Sequence, residues 1–173
     1  GRIIGPAFGK HIQMGSVVFS PDGRLLIGGD TGGAIHLWDV HRQTLLTPPP
    51  AGHSQAIVDA ELSKDGGLLA TLGQDLVIRL WSFDSTYPVA KRLKVSGSKA
   101  KGAAFGREGR LLAVGDDSGN VQIWELPSDR LLFTLKGHRH QVWAVAFAPQ
   151  GRVLASGDRS GQIRVWNPDS GEL

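Results

Sequence analysis

Short apolar runs alternate with turns along the whole sequence, and no stretch shows the 3.6-residue period of an amphipathic helix. Near the end of the chain, segments 142–147, 153–156 and 162–166 are three predicted strands separated by glycine-containing turns. Segments 89–94 and 130–135 follow the third strand of earlier units and predict a fourth strand. The pattern therefore predicts an all-β chain built from groups of four strands.

The same unit occurs four times. Four tryptophans end the third strands at intervals of 43, 43 and 42 residues, and a turn glycine precedes each tryptophan by 15 residues. These residues are Trp38, Trp81, Trp124 and Trp166, with Gly23, Gly66, Gly109 and Gly151. Four strands in about 43 residues are typical of one blade of a β-propeller.

Composition narrows the class of protein further. Glycine supplies 24 of the 173 residues, about twice the usual ~7%, which agrees with a chain of many turns. The sequence has no cysteine, which excludes a disulfide scaffold, a thiol nucleophile and a cysteine-ligated zinc site. No apolar run approaches the ~20 residues that a membrane-spanning helix needs, and a net charge of +3 is too small to indicate nucleic-acid binding by itself.

Three short motifs recur within these units. They are the turn and strand at 20–26 (SPDGRLL), the Gly-His pairs at 52–53 and 137–138, and the segment 78–81 (IRLW) with its counterparts. Together these motifs resemble WD40 repeats over essentially the whole chain, although Trp38-Asp39 is the only literal Trp-Asp dipeptide. The resemblance implies an all-β WD40 β-propeller with four four-stranded antiparallel blades. The repeats are predicted at approximately 9–46, 52–91, 95–135 and 137–173, with 1–8 as the fourth strand of a preceding blade or of the last blade.

The resemblance also implies a buried network of four side chains in each blade: a loop histidine, a hydroxyl on the second strand, an aspartate in the next turn, and the tryptophan. Residues at these positions are His53, Thr71, Asp75 and Trp81 in the second repeat, His138, Ser156 and Trp166 in the fourth, and Trp38 and Trp124 in the others. Because Ser160 stands at the aspartate position of the fourth repeat, only the second network is expected to be complete. The first and third blades are expected to be the less stable ones. Leu76 replaces the turn glycine of the other repeats, so its turn is expected to differ in type.

Four blades are few for a closed WD40 ring. The chain begins with Gly1 rather than methionine, which favours an excerpt of a longer array. The alternatives are a four-bladed ring closed by strand donation from the N-terminus, and self-association of two chains to complete a ring.

No motif carries the spacing of a catalytic or metal site, so neither enzymatic activity nor a cofactor is expected. Rigid blades that present short loops favour a scaffold or sensor for protein interaction, with a partner that the sequence does not identify. The repeats also resemble bacterial WD40 arrays that accompany effector modules. That resemblance implies a cytoplasmic signal-transduction role, in which the blades regulate or recruit for an effector domain elsewhere in a longer chain.

Loops at one end of the blades form the candidate partner-binding face. Its predicted residues are Asp30, Gln55, Gln74, Asp117, Arg139, His140, Trp143, Asp158 and Arg159. Trp143 is singled out because it is the one tryptophan outside the repeat position, and tryptophan and arginine are frequent interface anchors.

Two alternatives stay open. A run of cations could bind RNA, an acidic protein or an anionic lipid, although a solvated outer strand explains the run more simply and nucleic acid is not the expected partner. These cations are Lys91, Arg92, Lys94, Lys99, Lys101 and Arg107. The weaker alternative is an enzyme whose site lies in the funnel of the propeller. Insertion into a membrane is not expected.

Overall fold

The computed structural model describes residues 12–46, 52–82, 89–94, 99–126 and 128–173. Every regular element in these residues is a β-strand. The strands are β1 (Met14–Phe19), β2 (Leu25–Asp30), β3 (Ile35–Asp39), β4 (Thr44–Leu46), β5 (Ile57–Leu62), β6 (Leu68–Gly73), β7 (Val77–Ser82), β8 (Val89–Lys94), β9 (Ala100–Gly106), β10 (Leu111–Asp116), β11 (Asn120–Glu125), β12 (Arg130–Lys136), β13 (Val142–Phe147), β14 (Leu154–Asp158) and β15 (Ile163–Trp166).

The strands form four antiparallel sheets, and within each sheet the strands pair in sequence order. Strands β1–β4, β5–β8 and β9–β12 form blades 1, 2 and 3, and β13–β15 form blade 4. This arrangement confirms the predicted all-β class and its antiparallel blades. Blade 4 has three strands in the described part of the chain, and the predicted fourth-strand segment 1–8 lies outside that part.

The last residue of the turn between the second and third strands has a left-handed φ angle in all four blades. Gly33, Gly119 and Gly161 have φ angles of 91°, 84° and 88°, and Leu76 occupies the same left-handed region at 63°. Leu76 thus adopts the conformation of the glycine that it replaces, which the sequence did not lead us to expect. Asp75 helps to hold this turn, because its Oδ1 accepts the Val77 N–H at 3.3 Å. Local hydrogen bonding thus keeps a leucine in a conformation that favours glycine.

The apolar core lies between the blades. Each sheet has two faces: the forward face points toward the next blade in chain order, and the rear face points toward the previous one. One buried cluster fills each of the three interfaces. The three clusters include Ile27, Ile35, Ile57 and Leu69 between blades 1 and 2; Leu72, Ile78, Leu112 and Val114 between blades 2 and 3; and Leu111, Ile123, Val142 and Leu154 between blades 3 and 4. A blade therefore buries its apolar side chains only against a neighbour.

Asp59, on the innermost strand of blade 2, joins three blades by hydrogen bonds. Its Oδ1 accepts the Ser16 hydroxyl of blade 1 at 3.4 Å, and its Oδ2 accepts the Ala103 N–H of blade 3 at 3.0 Å. Glu61 lies two residues along the same strand and is half-buried. Burial, together with the negative charge of Asp59, raises the pKa of Glu61 to about 7. The negative charge of Asp59, which hydrogen bonds hold between the blades, thus adds to the effect of burial and disfavours ionisation of Glu61.

Glu61→Gln is expected to stabilise the protein at pH 8 and to have little effect at pH 5. The pKa of Glu61 is higher in the folded protein than in the unfolded chain. The contribution of the protonated Glu61 to folding stability is therefore fully present below about pH 4.5 and is lost as pH rises through about 7. The gain at pH 8 is about 1 kcal/mol, since solvent screens a partly exposed carboxyl. Urea unfolding of the parent and of the variant at both pH values measures it, with the exposed Glu108→Gln as control. Equal effects at the two pH values would contradict the assignment.

Candidate partner-binding face and its supporting networks

In blade 2 a buried histidine connects the loop before the first strand to the sheet. The Nδ1 atom of His53 lies 2.9 Å from Asp75 Oδ1, and its Nε2 atom lies 2.8 Å from Thr71 Oγ1. The Trp81 indole donates its N–H to the same Thr71 oxygen at 3.0 Å. An ionised carboxylate only accepts, so Nδ1 carries the proton of the neutral ring and Nε2 accepts the Thr71 hydroxyl proton. Every polar atom of the set then has a partner.

Electrostatics favour this neutral histidine beside an ionised aspartate. Burial lowers the pKa of His53, and the opposing effect of Asp75 is smaller. For Asp75, burial acts to raise the pKa, but hydrogen bonds from His53 and from the Ser54 N–H hold it below its usual range. The Ser54 N–H reaches Asp75 Oδ2 at 3.0 Å, which fixes the loop directly on the turn.

Blade 4 has an equivalent network with its carboxylate at a different position. His138 Nδ1 lies 3.0 Å from Asp158 Oδ2, His138 Nε2 lies 2.7 Å from Ser156 Oγ, and Trp166 donates its N–H to Ser156 Oγ at 2.8 Å. The expectation that only blade 2 has a complete network is therefore wrong. Asp158 precedes the expected position by two residues, and both positions of the turn bring a carboxylate to the imidazole.

Asp158 is correspondingly misplaced in the predicted partner-binding face. It is buried, and its Oδ1 accepts the Ser160 hydroxyl and N–H at 2.6 and 2.9 Å. The Ser160 hydroxyl is the main reason that the pKa of Asp158 lies well below its usual range; burial opposes the effect and His138 adds to it. Asp158 therefore supports the face from beneath.

Blade 1 uses a different histidine. His36, on the third strand, lies with its Nε2 atom 2.8 Å from Asp30 Oδ2 and stacks on Trp38 at a ring-centroid distance of 5.6 Å. Asp30 also accepts the Ala34 N–H at 2.8 Å. Burial acts to raise the pKa of Asp30, but the His36 hydrogen bond and the Ala34 N–H hold it below its usual range. Asp30, a predicted face residue, is thus engaged within its own blade.

Blade 3 lacks the network in the described residues. Val114 stands where blade 2 has Thr71 and blade 4 has Ser156, and the buried Trp124 Nε1 has no hydrogen-bond partner among the described residues. The Oε1 atom of Gln122, the register partner of Val114, is also buried and unpartnered there. Unpaired buried groups cost stability, so blade 3 depends on packing.

One backbone hydrogen bond in each blade joins the loop before the first strand to the turn between the second and third strands. The donor and acceptor pairs are Thr31 N to Gln13 O, Gln74 N to Ala56 O, Asp117 N to Lys99 O, and Arg159 N to Gln141 O, at 2.9 to 3.0 Å. These linked segments form the loop face. Five of the residues proposed for partner binding are exposed on it: Gln55, Gln74, Arg139, His140 and Arg159. Asp117 is half-buried and accepts the Lys99 N–H at 3.1 Å.

Comparison with known families decides the identity of these repeats. The family model "WD domain, G-beta repeat" matches residues 8–39, 43–82 and 129–167, which together are more than half of the chain. The chain belongs to the WD40 repeat family. Members of this family generally act as scaffolds for protein interactions.

Curated relatives of this WD40 chain are longer eukaryotic proteins. Autophagy-related protein 16 from Arabidopsis thaliana is 29% identical over 126 residues, which make up 70% of this chain and 24% of that protein. Apoptotic protease-activating factor 1 from Rattus norvegicus is 31% identical over 80 residues, 46% of this chain and 6% of that protein. The chain therefore spans about a quarter or less of the length of these two relatives.

Solved structures share the fold. The structure of U3-55K matches with a TM-score of 0.85 and 23% identity over 95% of this chain and 51% of that one. The crystal structure of the computationally designed Ika4 protein matches with a TM-score of 0.79 and 20% identity over 96% of this chain and 98% of that one. At these identities the likeness shows the WD40 propeller fold alone.

Trp143 lies beside the loop face on a blade surface. Its indole N–H donates to Gln141 Oε1 at 3.0 Å, and its side chain is exposed. In the WD40 repeat its position matches Val58 of blade 2, which packs into the cluster between blades 2 and 3. The forward face of blade 4, rather than the loop face, is therefore the surface to which Trp143 belongs.

The predicted basic stretch divides into separate places. Lys91 forms an ion pair with Asp129, and Arg107 forms one with Asp169. Lys99 and Arg107 lie at opposite ends of strand β9, roughly 25 Å apart at 3.3 Å per residue. Lys91, Arg92 and Lys94 lie on β8, the outermost strand of blade 2, and Lys101 lies on β9, the innermost strand of blade 3. The six cations do not form one continuous surface in the described structure.

A polar cleft of about 690 Å³ lies at the end of blades 3 and 4 opposite the loop face, with Arg107, Arg110 and Arg152 in its walls. No group of three or more potential metal ligands occurs among the described residues. No helix in the described part of the chain is long and apolar enough to cross a membrane.

Thr71→Val is expected to destabilise the protein by about 2–3 kcal/mol. The change keeps the shape of the side chain but leaves the Trp81 N–H and the His53 ring nitrogen without partners in a buried site. Urea unfolding at pH 7, followed by tryptophan fluorescence, measures the loss. A loss below about 0.5 kcal/mol would contradict a structural role for the network.

Val114→Thr is expected to have the opposite effect in blade 3. The new hydroxyl can accept the Trp124 N–H and donate to Gln122 Oε1, two buried groups that otherwise lack partners in the described residues. We expect a gain of about 1 kcal/mol in the same unfolding measurement. Val114→Ser supplies the same hydroxyl but leaves a small void, so comparing the two variants separates the effect of the hydrogen bonds from the effect of packing. If both substitutions destabilise the protein, the missing hydroxyl is not what limits the stability of blade 3.

Proposed function

We propose that this WD40 chain is a non-catalytic interaction scaffold or sensor that binds a protein partner through its loop face. In this proposal, binding regulates or recruits for an effector region elsewhere in a longer chain. The rigidity of the face supports it, since backbone hydrogen bonds and buried networks hold the loops on the blades before a partner arrives. A preorganised surface binds with little ordering cost.

The distribution of charge on the loop face indicates which kind of partner it favours. Three of its aspartates turn inward: Asp75 and Asp158 are bound to buried histidines, and Asp30 is bound to His36. The fourth, Asp117, is half-buried. The cations turn outward, since Arg139 and Arg159 are exposed on adjacent loops of blade 4. The face therefore presents positive charge although its loops contain both signs. Such a surface favours a partner protein with an acidic patch.

The relatives support a module inside a larger protein, because the matched region is a minor part of each of the two described above. A cytoplasmic location and a signal-transduction role are part of the proposal and rest on the resemblance to bacterial WD40 arrays. Self-association to complete a ring would use the faces of the end blades, which leaves the loop face free for a partner.

The test compares two double variants as bait for partner capture from a lysate, followed by affinity measurement with each purified candidate. Arg139→Glu with Arg159→Glu reverses the charge of the loop face. Arg24→Glu with Arg152→Glu makes the same charge change in turns at the opposite end of the blades. We expect the first variant to weaken binding of the partner at least tenfold, with near-parental binding by the second. Equal binding by all three proteins, or loss only with the second variant, would contradict the proposal.

A further inference from the structure

Large apolar side chains are exposed on two surfaces of the molecule. On the rear face of blade 1, Val17 and Phe19 are each 58% exposed. On the forward face of blade 4, Trp143, Ile163 and Val165 are 58%, 74% and 54% exposed, and Val153 is exposed as well. Contiguous apolar surfaces of this kind mark interaction sites.

The forward face of blade 4 matches a surface that is buried elsewhere in the same chain. In blade 3 the residues at the equivalent repeat positions are at most 5% exposed, because blade 4 covers them. The equivalent pairs are Val153 and Leu111, Ala155 and Ala113, Ile163 and Val121, and Val165 and Ile123. The blade 4 surface thus has the composition of a blade-to-blade interface.

The rear face of blade 1 matches the other half of that interface. Val17, Phe19 and Leu26 occupy the same repeat positions as Val145, Phe147 and Leu154, the residues of blade 4 that pack against blade 3. The side chains are identical at all three positions. The two exposed surfaces therefore carry the two complementary halves of the interface between blades 3 and 4.

We propose that a second copy of this chain docks head to tail, with the forward face of blade 4 in one copy against the rear face of blade 1 in the other. A two-fold axis then forms both contacts at once and closes a ring of two copies. The contact uses the sheet faces and leaves the loop face free, so it goes beyond the proposed function. It repeats a packing that this sequence already makes between blades 3 and 4.

The three internal interfaces agree with this arrangement, because each places the forward face of one blade against the rear face of the next. Pairing two copies of the same face would instead place forward face on forward face, an arrangement that none of these interfaces uses.

Light scattering across a range of concentrations gives the first test. We expect a mass of twice the 18.5 kDa chain at high concentration. Phe19→Asp on the rear face and Ile163→Asp on the forward face should each weaken dimer formation at least tenfold. Leu76→Asp changes an exposed leucine in a turn outside both faces and should leave the mass unchanged. A parent chain that stays monomeric at all concentrations would overturn the proposal.

Mixing the two face variants separates head-to-tail docking from pairing of like faces. In a mixture, Phe19→Asp supplies an intact forward face and Ile163→Asp supplies an intact rear face, so mixed dimers with one normal contact should form more readily than either variant alone. If only one of the two substitutions affects the mass, or if mixing restores nothing, the head-to-tail arrangement is wrong. Growth into open filaments would also overturn a closed pair.

The absence of native cysteine permits a direct geometric test. In the interface between blades 3 and 4, a Cβ atom built at Gly115 lies 3.0 Å from the Cβ atom of Val142. Gly157 and Met14 are the equivalent positions on the two exposed faces. Disulfides span Cβ distances near 3.8 Å, so the two copies need to lie about 0.8 Å further apart at this point than blades 3 and 4 do. The double variant Met14→Cys/Gly157→Cys should therefore give covalent dimers on oxidation. If either single variant gives covalent dimers at the same yield, or if the double variant gives none, the proposed alignment of blade 4 in one copy with blade 1 in the other is wrong.

The charge variants of the loop face distinguish this proposal from the proposed function. Arg139→Glu with Arg159→Glu should leave the dimer mass unchanged while it weakens partner binding. Loss of the dimer in that variant would overturn docking through the sheet faces.

Discussion

Burial of apolar side chains between successive sheets is the constraint on which the rest of this structure depends. A single blade has an apolar face on each side and no interior of its own, so it is stable only when a neighbour covers it. The three buried clusters all follow this rule, with residues such as Leu72 of blade 2 and Leu112 of blade 3 meeting across an interface. Blades 1 and 4 are each covered on one side only in the described structure, which explains why Phe19 and Ile163 are exposed although they belong to core positions of the repeat.

The buried polar networks have a second and more local effect. His53 and His138 each tie a loop to the sheet beneath it through a hydroxyl, and the carboxylates of Asp75 and Asp158 complete the hydrogen bonding. These interactions hold the loops in place on the sheet and turn two aspartates of the loop face inward. Packing between blades and polar anchoring of loops are thus separate contributions: the first holds the array together, and the second shapes the surface that a partner meets.

Much of this could be predicted because the repeat is so regular. The spacing of Trp38, Trp81, Trp124 and Trp166 defines the blades. The positions of His53 and His138 relative to these tryptophans locate the loops that precede the first strand of their blades. Asp158 was missed because strict repeat alignment assigns its role to Ser160, whereas the turn is short enough for either position to reach His138. The Asp30 and His36 pair was missed for a similar reason, since the imidazole comes from a strand rather than from a loop. Sequence reasoning also placed Trp143 on the loop face, yet the equivalent position, Val58, was an available signal that it belongs to a blade face.

The expectation that blade 3 is one of the weak blades considers only its missing polar network, whereas burial of both of its faces favours a stable blade. Residue-resolved hydrogen exchange, at concentrations low enough for the chain to be monomeric, shows directly whether packing between blades or the polar networks control the stability of each blade. If burial between blades dominates, amides of β10 and β11 in blade 3 will exchange more slowly than those of β14 in blade 4, because blade 3 is covered on both faces. If blade 3 exchanges as fast as blade 1 while blades 2 and 4 stay protected, the polar networks control stability and the central claim is wrong.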